Sequence, residues 1–206
     1  MKKFSLLFIL AAFALNGTAQ VTMFGRDVAA NGDWAHDTNN QWYRQNDGWN
    51  ARRVDIATGQ WHYDGTKQYA IAHIGNAVYT TMTVNGNLGG TKYHIHQILF
   101  ENSTDRTINN SNEGYLSLGG GGETVNAKIE AVTGKGTGTY TFNVPVTYEK
   151  KSELNPVGGN LIFTSNINNS GYDTEVKGSN TKSVSIASMS GSGGLIVKNT
   201  TTVKIT

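Results

Sequence analysis

What most constrains this chain is a run of short β-branched or alternating segments, each bounded by Gly, Asn, Ser or Asp. No amphipathic helix pattern lies between them. The segments "RRVDIA", "YAIAHI", "VYTTMTV", "YHIHQILF", "GYLSL", "VNAKIEAV", "TYTFNVPVTY", "NLIFTSNI", "KSVSIA", "GGLIVK" and "TTTVKIT" follow one another from Arg52 to Thr206. Residues at alternate positions of a strand share a face, and the clusters between segments have turn chemistry. The expected class is all-β. With 25 Gly and 2 Pro in 206 residues, the chain is turn-rich and long enough to bury one core. It has no Cys, so packing and backbone ladders must hold it without disulfides or thiolate metal sites.

Two all-β architectures fit such a list. A sandwich or barrel asks for hairpins with two-residue turns, whereas a parallel solenoid asks for short strands and an apolar anchor returning once per coil. Phe100, Leu118, Phe142, Phe163, Ile186 and Ile205 recur at about the roughly 20-residue spacing of solenoid repeats, which favours the solenoid. A single coil cannot bury its own inner face, so stacking must supply both core and ladder. The sandwich stays open as the alternative.

The first residues, "MKKFSLLFILAAFALNGTAQ", read as a signal peptide. Lys2 and Lys3 form the charged region, Phe4 to Leu15 the apolar run, and Gly17 and Ala19 the small residues before cleavage. Residues 1–19 are therefore expected to be removed by the Sec pathway. The apolar run is shorter than the roughly 20 residues that span a bilayer, so no membrane insertion of the mature chain is expected. Loss of Lys2 and Lys3 would leave fifteen basic and fifteen acidic residues, which removes the basic field that nucleic acid would need.

The stretch "MSGSGGLIVKNTTTVKIT", residues 189–206, resembles the autotransporter-associated β-strand repeat. Ser190, Gly191, Ser192, Gly193, Gly194, Leu195 and Lys198 carry the likeness. Ile196 and Val197 shift its spacing, and the glycine pair of the turn is missing. Upstream, "ANGDWAHDTNNQW" and "GYLSLGGGG" resemble the opening and a coil of passenger domains. The resemblance implies a right-handed parallel β-helix exported to the surface or medium of a Gram-negative cell, or held in the periplasm if no secretion module is supplied. It further implies an adhesin or stalk, short or truncated, because the repeat family continues into more coils and a secretion module. The expected organisation is a signal peptide over 1–19, an aromatic-rich N-terminal cap over 20–62, and coils over 63–206.

Candidate site residues concentrate early. Trp34, Trp42, Trp49 and Trp61, with Tyr43 and Tyr63, lie among Asn, Asp and Gln, a composition that suits stacking on a sugar face while amides take hydroxyls. The same rings would serve as a solenoid cap, covering apolar core and open strand edges. A surface glycan or host-matrix polymer is the partner this reading implies. His94 and His96, two apart in "YHIHQILF", would share a strand face and offer a weak metal pair, with His73, His62 or Asp64 as third ligand from another coil. No cofactor is expected. Catalytic motifs are lacking: no G-x-S-x-G, no H-E-x-x-H, no phosphate loop. Asp55, Asp64, Arg52, Arg53 and Lys67 are the one polar cluster that a polysaccharide lyase or hydrolase would use. The β-branched tail with only Lys198 and Lys204 as charged breakers predicts end-to-end self-association.

Overall fold

The structure is a computed structural model that describes residues 21–25, 42–44, 51–52, 61–63, 66–68, 70–74, 80–85, 92–119, 126–199 and 201–206. These residues form twenty strands and no helix. First come β1 (Val21–Gly25), β2 (Trp42–Arg44), β3 (Ala51–Arg52), β4 (Trp61–Tyr63) and β5 (Thr66–Gln68). A three-strand circuit then repeats: β6 (Ala70–Ile74), β7 (Thr81–Asn85) and β8 (Lys92–Ile95); β9 (Gln97–Phe100), β10 (Arg106–Ser111) and β11 (Tyr115–Leu118); β12 (Ala127–Ala131), β13 (Thr139–Asn143) and β14 (Val146–Tyr148). Later circuits merge the second and third strands. They are β15 (Ser152–Pro156) with β16 (Asn160–Asn168), β17 (Thr174–Lys177) with β18 (Ser183–Ser190), and β19 (Leu195–Lys198) with β20 (Thr202–Ile205).

Each strand of a circuit pairs in parallel with its counterpart one circuit on. The first ladder runs β1, β6, β9, β12, β15, β17, β19. The second runs β7, β10, β13, β16, β18, β20, and the third runs β8, β11, β14 into the second half of β16. The nine-residue β16 thus serves two ladders, with a register shift between Phe163 and Asn166 where it turns the corner. Such a stack is consistent with a parallel β-helix. At its start, β2 and β3 add antiparallel to β1, and β4 and β5 form a separate antiparallel pair. Parallel pairing therefore reaches back to β1, within residues 20–62.

Register turns the sequence into columns of core residues. In the first ladder Ala72, Ile98, Ile129, Leu154, Val176 and Val197 stand over one another, so successive coils take 26, 31, 25, 22 and 21 residues. In the second ladder the column is Ile108, Phe142, Phe163, Ile186 and Ile205. The anchors read from the sequence therefore divide. Phe142, Phe163, Ile186 and Ile205 share this column, whereas Phe100 belongs to the first ladder and Leu118 to the third. All are buried except Ile205, which is 62% exposed despite its core register. Coils differ in loop length, so an anchor spacing near 20 also picks up residues from neighbouring ladders.

Aromatic rings stack within the core. Phe100 stacks on Tyr140 with centroids 4.0 Å apart, and Phe142 on Phe163 at 4.7 Å. The buried Tyr140 hydroxyl donates to the Asn102 carbonyl, so its polar end is satisfied. Coils meet closely where the first ladder turns into the second. A Cβ on Gly159 would lie 2.1 Å from the Gly138 carbonyl oxygen, so only glycine fits there.

Candidate functional site

Because side chains alternate in and out, each ladder presents an outer face. That of the first ladder carries charge. Glu153 stands over Glu175 and Lys177 over Lys198, an arrangement of like charges in register. Lysines bridge them. Lys177 Nζ lies 2.6 Å from Glu153 and 2.9 Å from Glu175, while Lys151 and Lys198 reach Glu175 at 2.7 and 3.0 Å. Hydrogen bonds from Lys151, then Lys177 and Lys198, hold the Glu175 carboxyl at about 2, far below the usual range. Glu153 also accepts from Asn126 at 2.9 Å. Its pKa falls: burial alone would raise it, and the hydrogen bonds from Lys177 and Asn126 outweigh that. Lys177 is raised in turn by its bond to Glu153. Both carboxylates are thus fixed as anions and lack the proton that a general acid would donate.

The outer face of the second ladder is neutral along its strands from β7 to β18; Asp105, just before β10, accepts a hydrogen bond from the Thr139 backbone N–H at its margin, and in the last coil Lys204 stands beside Ser185. From β7 to β18 it shows Thr81, Thr83, Thr107, Asn109, Thr139, Thr141, Asn143, Asn160, Ile162, Thr164, Ser183 and Ser185, with no charged residue. Its two margins are bonded along the stack. On one, Asn143 Nδ2 donates to Asn109 Oδ1 at 2.8 Å and Thr164 Oγ1 donates to Asn143 Oδ1. On the other, the Ser183 backbone N–H and hydroxyl donate to Asn160 Oδ1 at 3.1 and 3.2 Å. Between the margins runs a column of Thr107, Thr141, Ile162 and Ser185, aligned by register. Among the described residues the hydroxyls of Thr107, Thr141 and Ser185 have no protein partner.

The residues singled out in the sequence fall mostly elsewhere. Trp34, Trp49, Asp55, Arg53 and Asp64 lie outside the described residues. Trp42 and Tyr43 are in β2, opposite Gly25 and Phe24 of β1, whereas Trp61 and Tyr63 are in β4, opposite Gln68 and Thr66 of β5. The backbone therefore places these aromatics in two different sheets. His94 lies in β8 opposite Ser117. His96 is not on that strand: β8 ends at Ile95, and His96 forms the bend before β9. It is fully buried with both ring nitrogens unpartnered, and burial, helped by the Lys150 charge, lowers its pKa to about 4. His73, the suggested third ligand, pairs with Glu101 at 3.3 Å. No group of three or more His, Asp or Glu suited to a metal occurs among the described residues. Glu153, Glu175 and Lys177 are not among the residues singled out from the sequence, although "SELNP", "TEVK" and "LIVK" repeat a charge at coil spacing.

Comparison with protein-family models, with curated proteins and with solved structures finds no match.

Proposed function

We propose that this chain is an exported, non-catalytic β-solenoid of adhesin or stalk type, wound as a right-handed parallel β-helix with an aromatic-rich N-terminal cap. One observation carries the reading: coil pairs with coil in parallel along the ladders that run from β1 to β19 and from β7 to β20, so that each ladder presents an outer face. A right-handed path is the one that twisted parallel strands adopt in nearly all crossovers. The carboxylates of the charged face are held as anions by lysines, which supports a scaffold over a polysaccharide-cleaving groove. The repeat-like segment supports the passenger assignment through Leu195 and Lys198, which occupy a coil strand.

Expression of the full chain in a Gram-negative host, followed by N-terminal sequencing and protease treatment of intact cells, tests the proposal. The expected outcome is cleavage after Ala19 and a product outside the inner membrane. A cytoplasmic product retaining Met1 would refute it. Glycan binding by the N-terminal tryptophans is the competing reading, and soluble glycans would then shift the intrinsic tryptophan fluorescence.

A further inference from the structure

We propose that the neutral outer face of the second ladder, along the Thr107, Thr141, Ile162 and Ser185 column, binds an extended uncharged polysaccharide lying along the stack axis. The inference rests on the exported-solenoid reading and names the ligand class of its surface.

Three features select this ligand. The first is charge. The outward positions of strands β7, β10, β13, β16 and β18 on this face are uncharged, with Asp105 at the margin and Lys204 beside Ser185 in the last coil, while the first ladder around the corner carries Lys128, Glu130, Glu153, Glu175 and Lys177. An anionic polymer or a basic peptide gains nothing on the neutral face and would find charges on the other. The second is the state of the hydroxyls. The two margins are engaged in bonds of their own, which fixes their side chains, whereas the middle column keeps its hydroxyls free of protein partners. A binding surface whose neighbours are already ordered loses less side-chain entropy when occupied. The third is the step. Parallel strands repeat about every 4.8 Å, so the residues of the column recur at that interval along the axis, with hydroxyls at Thr107, Thr141 and Ser185 and an apolar side chain at Ile162. An extended β-linked pyranose chain advances by nearly the same step per sugar, so one sugar can face each coil. Threonine methyls and Ile162 then meet the C–H face of the ring while the hydroxyls exchange hydrogen bonds with its rim.

The test uses the full chain and defined probes: cellohexaose and chitohexaose in solution, microcrystalline cellulose as a solid, and polygalacturonate as the anionic control. The expected result is binding to a neutral probe and none to polygalacturonate. Thr141→Lys should weaken that binding about tenfold or more, the scale of loss at a central contact. Glu130→Lys, on the charged face, should leave it unchanged, as should Trp61→Ala. Thermal melts of each variant separate lost binding from lost folding, and Thr107→Lys replaces Thr141→Lys if the latter unfolds. The proposal is overturned if no neutral probe binds, if polygalacturonate binds equally, or if Trp61→Ala abolishes binding while Thr141→Lys and Thr107→Lys do not. Failure here with a chain that is exported and surface-exposed leaves the exported-solenoid reading standing. A chain that binds but stays in the cytoplasm overturns that reading alone.

Discussion

The outer faces of the first and second ladders share one core and one strand spacing, yet they are held in opposite ways. Parallel pairing in register sets each outward residue beside its counterpart in the next coil, so whatever a face carries, it carries in files. Identical neutral residues tolerate this: Thr107 beside Thr141 needs no compensation, and Asn109 beside Asn143 gains a hydrogen bond. Identical charges do not, because like charges directly opposite repel. Glu153 beside Glu175 therefore requires Lys177 between them, and Lys177 beside Lys198 requires Glu175. On this face the two signs interleave, directly where Lys128 stands beside Glu153 and diagonally around Glu175 and Lys177. A neutral side can simply repeat, and it stays free to bind.

The strongest way to break the comparison is to remove what both faces share. Phe142→Ala deletes a fully buried ring stacked on Phe163 and edge-on to Phe100. It should cost about 3 to 5 kcal/mol in a urea melt, as large-to-small core changes do. Fluorescence and circular dichroism should then lose structure together. Separate transitions would mean that the ladders fold independently.

Acid separates the corner from the charged face. His96 is buried and neutral, its folded pKa lowered by burial to about 4 from the ordinary imidazole value of 6.5. The unfolded chain takes up that proton first, so stability present above pH 6.5 is lost as pH falls toward 4. The loss amounts to about 3 kcal/mol at about 1.4 kcal/mol per pKa unit. Glu175 acts lower down. Its folded pKa of about 2 lies under the ordinary carboxyl value of 4.5, so its contribution is present above 4.5 and is lost as pH falls through about 2. Stability against pH should show two limbs, and His96→Leu should abolish the upper one. An unchanged upper limb in that variant would show that His96 is hydrated or paired.

Smaller again is the effect of Glu175→Gln, which strips the anion from three lysines at once. The expected outcome is a loss of stability greater than that of Glu130→Gln, whose partner is the single Lys128 at 2.6 Å. Chemical denaturation in urea at low and high salt measures it. Added salt should narrow the gap between the two variants, since the lysine ends of these pairs reach solvent although Glu175 itself is buried.

Much of the coil pattern was legible because alternation needs no tertiary knowledge: "NLIFTSNI" and "KSVSIA" became β16 and β18, and their inward residues are core. Among the coil strands from β6 onward, those that escaped were β10, β15 and β17, whose sequences RTINNS, SELNP and TEVK look like loops. Inside a stack such a strand needs one apolar inward residue, Ile108, Leu154 or Val176, because the coils on either side supply the remaining contacts. Hydrophobic density, which serves for sandwiches, therefore undercounts coil strands. Residue spacing along the chain also failed to place the histidines. His94 and His96 fit the two-residue rule for one face only while a strand continues, and this one ends at Ile95. The outer faces were unreadable for a different reason. Which Thr stands beside which depends on loop lengths between coils, and no local pattern encodes those.

The smallest expected effect sharpens the comparison most. Asn143→Ala removes a carboxamide that donates to Asn109 and accepts from Thr164 on the neutral face, where side chains are half-buried. Each such bond is worth about 1 kcal/mol net, and the partners left behind regain water, so the loss should be near 1 kcal/mol. Unlike the change at Glu175, it should be the same at low and high salt, because no charge is involved. It should also loosen the margin that fixes the free-hydroxyl column, and so weaken neutral-glycan binding more than it weakens the fold. A salt-dependent loss in Asn143→Ala would mean that the field of the charged face reaches across the core, and that the two faces are not independent surfaces of one scaffold.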